Sequence, residues 1–220
     1  QVSNWTLEFN QSTDGPSDNL NFGRWNNNGL SPEPNIENTF YAKPLPELLR
    51  ESGYTTMMVG KAHFGAIGTP ADDPLAIGFD YNIAGHAAGA MGSYLGEQNY
   101  GIDKNNSKNV WGVPHLDKYH GTDTFLTEAL TLEAMNLVDT ALTKDKPFFL
   151  YMSHYAVHAP FAKDKRYYQK YIDKGLSDKE AQFAGLIEGM DKSLGDLMQH
   201  LEQKGIMDNT IIIFMSDNGG

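Results

Sequence analysis

Three short segments concentrate the side chains that can do chemistry. Gly60-Lys61-Ala62-His63-Phe64-Gly65 offers a cation and an imidazole two residues apart. His154-Tyr155-Ala156-Val157-His158-Ala159-Pro160 offers two imidazoles, and Ser216-Asp217-Asn218-Gly219-Gly220 sets a carboxylate beside an amide. A lysine holds anions, an imidazole moves protons near neutral pH, and carboxylate and amide oxygens suit hard divalent cations. Taken singly, each segment has an ordinary explanation: a solvated lysine, a histidine closing a turn, a tight Asp-Asn-Gly-Gly turn. Taken together they describe a pocket for an anion and an oxygen-liganded metal, provided the fold gathers them.

The surrounding sequence predicts that it does. Leu45, Leu48 and Leu49 form one helical face behind Pro44 and Pro46, with Gly53 as the stop, and Tyr54–Val59 then reads as a strand. Leu126, Leu130, Ala134, Leu137, Val138 and Ala141 recur at helical spacing ahead of the short apolar run Pro147–Met152. A longer stripe continues through Phe183, Leu186, Ile187, Met190, Leu194, Leu197, Met198 and Leu201. Ser177 and Glu180 open it as a capping box, Gly205 closes it, and the apolar run Ile211–Met215 comes next as a third strand.

Three helix-then-strand units with apolar strands predict the α/β class: a mostly parallel sheet sandwiched by helices, with ligands beyond the carboxyl ends of the strands. All three chemical segments fall at such ends. Residues 1–42 read as an irregular lead-in rich in Asn, Ser, Pro and Gly. Residues 43–220 read as the α/β core, incomplete, with a long loop insertion over 65–120 that is either functional or hides short elements.

Composition narrows the partners. The 220 residues carry a net charge of −11, which argues against a nucleic-acid binder, so any anion site is local. No apolar run approaches the ~20 residues that would span a bilayer. The absence of cysteine leaves oxygen and imidazole as metal ligands.

At this level of detail the Gly-Lys-Ala-His-Phe-Gly, His-Ala-Pro-Phe and Ser-Asp-Asn-Gly-Gly segments resemble, in order, the motifs of the sulfatase family, within the alkaline-phosphatase-like superfamily. The likeness runs from Lys43 to Gly220 and includes the Leu-Pro-Glu-Leu-Leu-Arg-Glu-Ser-Gly-Tyr helix start and the Lys-Pro-Phe-Phe-Leu-Tyr strand. It implies an alkaline-phosphatase-like core and hydrolysis of sulfate esters on a small molecule or a glycan. Lys61 would contact the sulfate oxygens, His63 would lie beside the nucleophile as its base, and His158 would contact sulfate and protonate the departing alcohol. Asp217 and Asn218 would bind one divalent metal, calcium or alternatively magnesium.

The resemblance also implies a formylglycine nucleophile, made by a formylglycine-forming or an anaerobic maturation enzyme, and a periplasmic, extracellular or lysosomal setting. The Cys/Ser-x-Pro/Ala-Ser-Arg motif and the acidic pair of metal ligands are missing from these 220 residues. Both are expected upstream of Gln1, with a further sulfate-contacting lysine beyond Gly220, so this piece alone is expected to be inactive. Two alternatives stay open: a phosphodiesterase or phosphonate hydrolase of the same superfamily, and a homologue without a nucleophile that only binds sulfated glycans. Asn218 favours sulfate over the first, since two-metal phosphorus enzymes of the superfamily usually place histidine there.

Other residues fit structural roles. His86, His115 and His120 read as loop histidines, His154 as a core or supporting residue, and His200 as a helix-end cation. Asp72-Asp73 reads as turn chemistry, and Tyr94 and Tyr100 as packing aromatics.

Overall fold

The computed structural model describes residues 28–103 and 109–216. A parallel sheet of three strands organises the core. Strand β3 (Thr55–Gly60) is central and wholly buried, flanked by β4 (Tyr81–Ile83) and β5 (Phe148–Ser153). Thr55 to Gly60 run in register with Phe148 to Ser153, and Met57 to Val59 with Tyr81 to Ile83. Strands β1 (Leu30–Ser31) and β2 (Phe40–Tyr41) form a separate two-residue parallel pair.

The alternation of β3 sorts its side chains between two apolar clusters. Met57 and Val59 join the larger one, built with Leu126, Leu130, Ala134 and Leu137 of helix α2 (Leu126–Leu142) and Leu186 of helix α4 (Asp178–Gln203). Met58 joins the smaller one, with Ala62, Ala71, Ile77 and Phe79. Helix α1 (Leu45–Glu51) lies against β3, α4 packs on α2, and the short α3 (Tyr168–Asp173) packs on α4. The architecture is α/β with a parallel sheet covered on both faces, as the sequence predicts.

Local signals decide most boundaries. The capping box forms, with the Glu180 amide donating to the Ser177 hydroxyl and the Ser177 amide donating to the Glu180 carboxylate. Gly53 and Gly205 stand just past their helices at φ 92° and 69°. The loop insertion over 65–120 holds short elements: β4, and 3-10 turns at Pro70–Asp72, Pro74–Ile77, Gly96–Gly101 and Asp117–Tyr119.

One expectation needs correction. Ile211–Met215 forms no strand: after a 3-10 turn at Met207–Asn209 the run carries no ladder, with Ile211 90% and Phe214 83% exposed. An apolar pattern states what a segment would bury, but a strand also requires a neighbour to pair with. Leu45 and Leu48 of α1 are exposed.

Candidate active site

The carboxyl ends of β3, β4 and β5 lie side by side, and the segment after each is held by the other two. Strand β3 ends at Gly60, φ 107°, where a Cβ would fall 1.9 Å from the Ser153 carbonyl oxygen; only glycine lets β3 and β5 close here. The Lys61 amide donates to that carbonyl at 2.8 Å, and the Ser153 hydroxyl donates back to the Lys61 carbonyl. Ala62 turns into the smaller apolar cluster, which leaves Lys61 and His63 half-buried on either side of it.

His63 adopts φ 54°, a left-handed conformation uncommon for a residue with a side chain. Its amide donates to the His86 carbonyl at 3.1 Å, and Phe64 next to it is wedged against Phe79 and Tyr151 at 6.5 and 6.1 Å between ring centres.

The segment after β5 is fixed by two buried tyrosines. Tyr155 donates its hydroxyl to the Ala84 carbonyl, just past β4, at 2.8 Å. The Tyr94 hydroxyl reaches the carbonyls of Tyr155 and His158 at 3.0 and 2.8 Å and shares one proton between them. His158 is exposed, with its amide turned onto the Tyr155 carbonyl. Its Nδ1 sits 2.6 Å from the Ala159 carbonyl oxygen, which can only accept, so Nδ1 carries a proton and Nε2 is the nitrogen that gains or loses one.

His86 enters the site from β4. Its Nδ1 accepts the Ala88 amide at 3.3 Å, which in the neutral ring places the proton on Nε2, a buried atom with no hydrogen-bond partner among the described residues. Burial, then the imidazoles of His115 and His63, push its pKa down to about 4. The reading of His86 as a loop histidine therefore missed its contact with His63. The signal was its place just after a strand, but that strand is three residues long and carries no periodicity.

The other candidate residues divide between structural roles and positions outside the described residues. His154 is half-buried, with its Nδ1 buried and unpartnered among the described residues, and burial of the ring pushes its pKa down to about 4. His120 lies 3.8 Å from Asp117, and His200 bonds Asp139 at 2.8 Å. Asp73 accepts the Leu75 amide and Asp72 the Gly68 amide, as turn chemistry requires. Tyr94 and Tyr100 are buried. Asp217 and Asn218 lie outside the described residues. Among the described residues no group of three or more His, Asp or Glu could hold a metal.

Comparison with known proteins identifies the family of the chain. The sulfatase family model matches residues 8–220. The chain is 31% identical over 222 residues to the uncharacterized sulfatase YdeN of Escherichia coli, spanning 90% of this chain and 36% of that protein. It is 29% identical over 189 residues to mouse N-acetylgalactosamine-6-sulfatase, spanning 80% and 32%. The crystal structure of Ps i-CgsB in complex with k-i-k-neocarrahexaose superposes with a TM-score of 0.64 at 30% identity, over 83% of this chain and 41% of the other. The chain spans about a third of the length of these curated relatives. With a family match over nearly its whole length, the chain belongs to the sulfatase family.

Proposed function

We propose that the protein hydrolyses sulfate esters of a glycan and that this chain supplies the groups that hold the sulfuryl oxygens and move protons. The observation that supports the reading is that Lys61, His63 and His158 follow the carboxyl ends of two adjacent parallel strands, in a chain of the sulfatase family. The glycan is proposed from the relatives, one bound to a neocarrahexaose and another named for N-acetylgalactosamine 6-sulfate.

Each residue has a task its environment suits. The Lys61 ammonium pairs with the non-bridging sulfuryl oxygens, where negative charge grows as the ester bond breaks. His158 gives the Nε2 proton to the departing alcohol oxygen, with Nδ1–H on Ala159 fixing the ring. His63 takes the proton released on the nucleophile's side. The nucleophile, a formylglycine hydrate, is supplied by residues outside this segment through a maturation enzyme. The donor set of Asp217 and Asn218, a carboxylate and an amide oxygen, suits one calcium ion, with magnesium as the alternative.

The test is hydrolysis of an aryl sulfate beside the matching aryl phosphate, by the full-length protein matured with its formylglycine-forming enzyme and supplied with calcium. Turnover of sulfate alone is expected. Preference for phosphate would move the protein to the phosphodiesterase and phosphonate hydrolase branch. Silence on both with retained binding of a sulfated oligosaccharide would mean a pocket that only binds.

A further inference from the structure

The segment after β4 does more than border the site. The His63 amide is tied to the His86 carbonyl at 3.1 Å, and the His63 ring lies on the backbone of Gly89. A Cβ at residue 89 would stand 2.5 Å from Nδ1, 2.6 Å from Cε1 and 2.9 Å from Cγ of that ring, distances that real Cβ atoms do not tolerate.

Gly89 is not among the glycines at positive φ, so no left-handed conformation calls for glycine there. The glycine is therefore explained by the ring it faces and not by its own conformation. At Gly60 both reasons apply; at Gly89 only the first does.

His63 needs such a seat. It stands at φ 54°, where a side chain is held only if its surroundings determine it. Its neighbours in sequence face elsewhere, with Ala62 in the smaller cluster and Phe64 against Phe79 and Tyr151. The Tyr155 hydroxyl on the Ala84 carbonyl in turn ties the segment to the loop that carries His158.

We propose that Gly89 is a positioning residue for His63: it presents bare backbone on which the imidazole lies, and the His86 carbonyl fixes the amide of the same residue. The catalytic consequence rests on the proposed role of His63 as base, whereas the contact itself does not.

The experiment is a double-mutant cycle in the matured full-length protein with Gly89→Ala, His63→Ala and both together, reading kcat and KM on an aryl sulfate and the melting temperature. Gly89→Ala is expected to lower kcat by about 10²-fold, the scale of a ring displaced by roughly an ångström, with KM within about threefold, and to shift the pH profile of kcat. In the His63→Ala background the same substitution should change kcat by less than about twofold and leave the melting temperature unmoved, because the ring it displaces is gone.

An undiminished loss of kcat in that background, or no effect of Gly89→Ala on either readout, overturns the inference. If Gly89→Ala alone fails to fold, the double variant is still expected to fold, and its failure also overturns the inference. Should His63→Ala leave turnover unchanged, the role of His63 as base fails, while the melting cycle still reads whether Gly89 seats its ring.

Discussion

His86 and His154 are held neutral by burial, each with a pKa pushed down to about 4 against 6.5 for a free imidazole. The sign of the effect on stability is set by where protons bind. Below pH 6.5 the unfolded chain takes protons that the folded rings refuse, so stability is full above 6.5 and is lost as pH falls toward 4. The displacement from 6.5 to about 4 corresponds to about 3 kcal/mol for one ring at the acid limit. The melting temperature of the full-length protein is expected to drop over that interval, and less steeply in His154→Gln. An equally steep drop in the variant would remove His154 as a cause. On the catalytic side, Lys61→Ala and His158→Ala should each lower sulfate-ester turnover by about 10² or more, whereas His200→Ala, which breaks only a contact with Asp139, should leave it near wild type. Near-normal rates in the first two variants would sink the site assignment.

At the scale of elements, the two buried tyrosines hold the post-strand loops together. Tyr155→Phe removes the donor to the Ala84 carbonyl and leaves that acceptor inside the protein, a loss of about 1–3 kcal/mol by denaturant titration. It should also lower kcat, because the loops of His86 and His158 lose a shared tie. A loss of stability with unchanged kcat would mean that the tie is structural only. Elements with a strong period were legible from sequence: α2, α4, β3 and β5 stand within a residue or two of the ranges that apolar spacing and the Ser177/Glu180 box predict. Strand β4 was not, because three residues cannot display an alternation, and the hidden strand concealed the segment behind it. Lys61, His63 and His158 could be picked out because long, apolar strands announce the residues at their carboxyl ends. His86 and Gly89 could not, since their importance lies in a contact with His63 across more than twenty residues whose elements are too short to show a period.

For the whole molecule, sheet order carries the arrangement. Placing β3 centrally, with parallel neighbours on both sides, sets three carboxyl ends together, and Lys61, His63, His86 and His158 lie in the segments that follow them. The charge of −11 belongs to the chain as a whole and does not define this edge, so under the proposed function attraction for a sulfate ester falls to Lys61 and to the metal proposed at Asp217 and Asn218. No described helix is long and apolar enough to cross a membrane.

Among the described residues the run Ile211–Met215 is exposed and the outer edge of β5 has no paired strand, which has a practical meaning for anyone handling the 220-residue chain. A sheet edge six residues long, together with a strip of Ile, Phe and Met open to water, is a template on which copies can stack. Produced alone, the chain is expected to self-associate with rising concentration, and Ile211→Lys with Phe214→Lys should shift it toward monomer in light scattering. A wild-type chain that stays monomeric at high concentration would show that its net negative charge alone is enough to keep the copies apart.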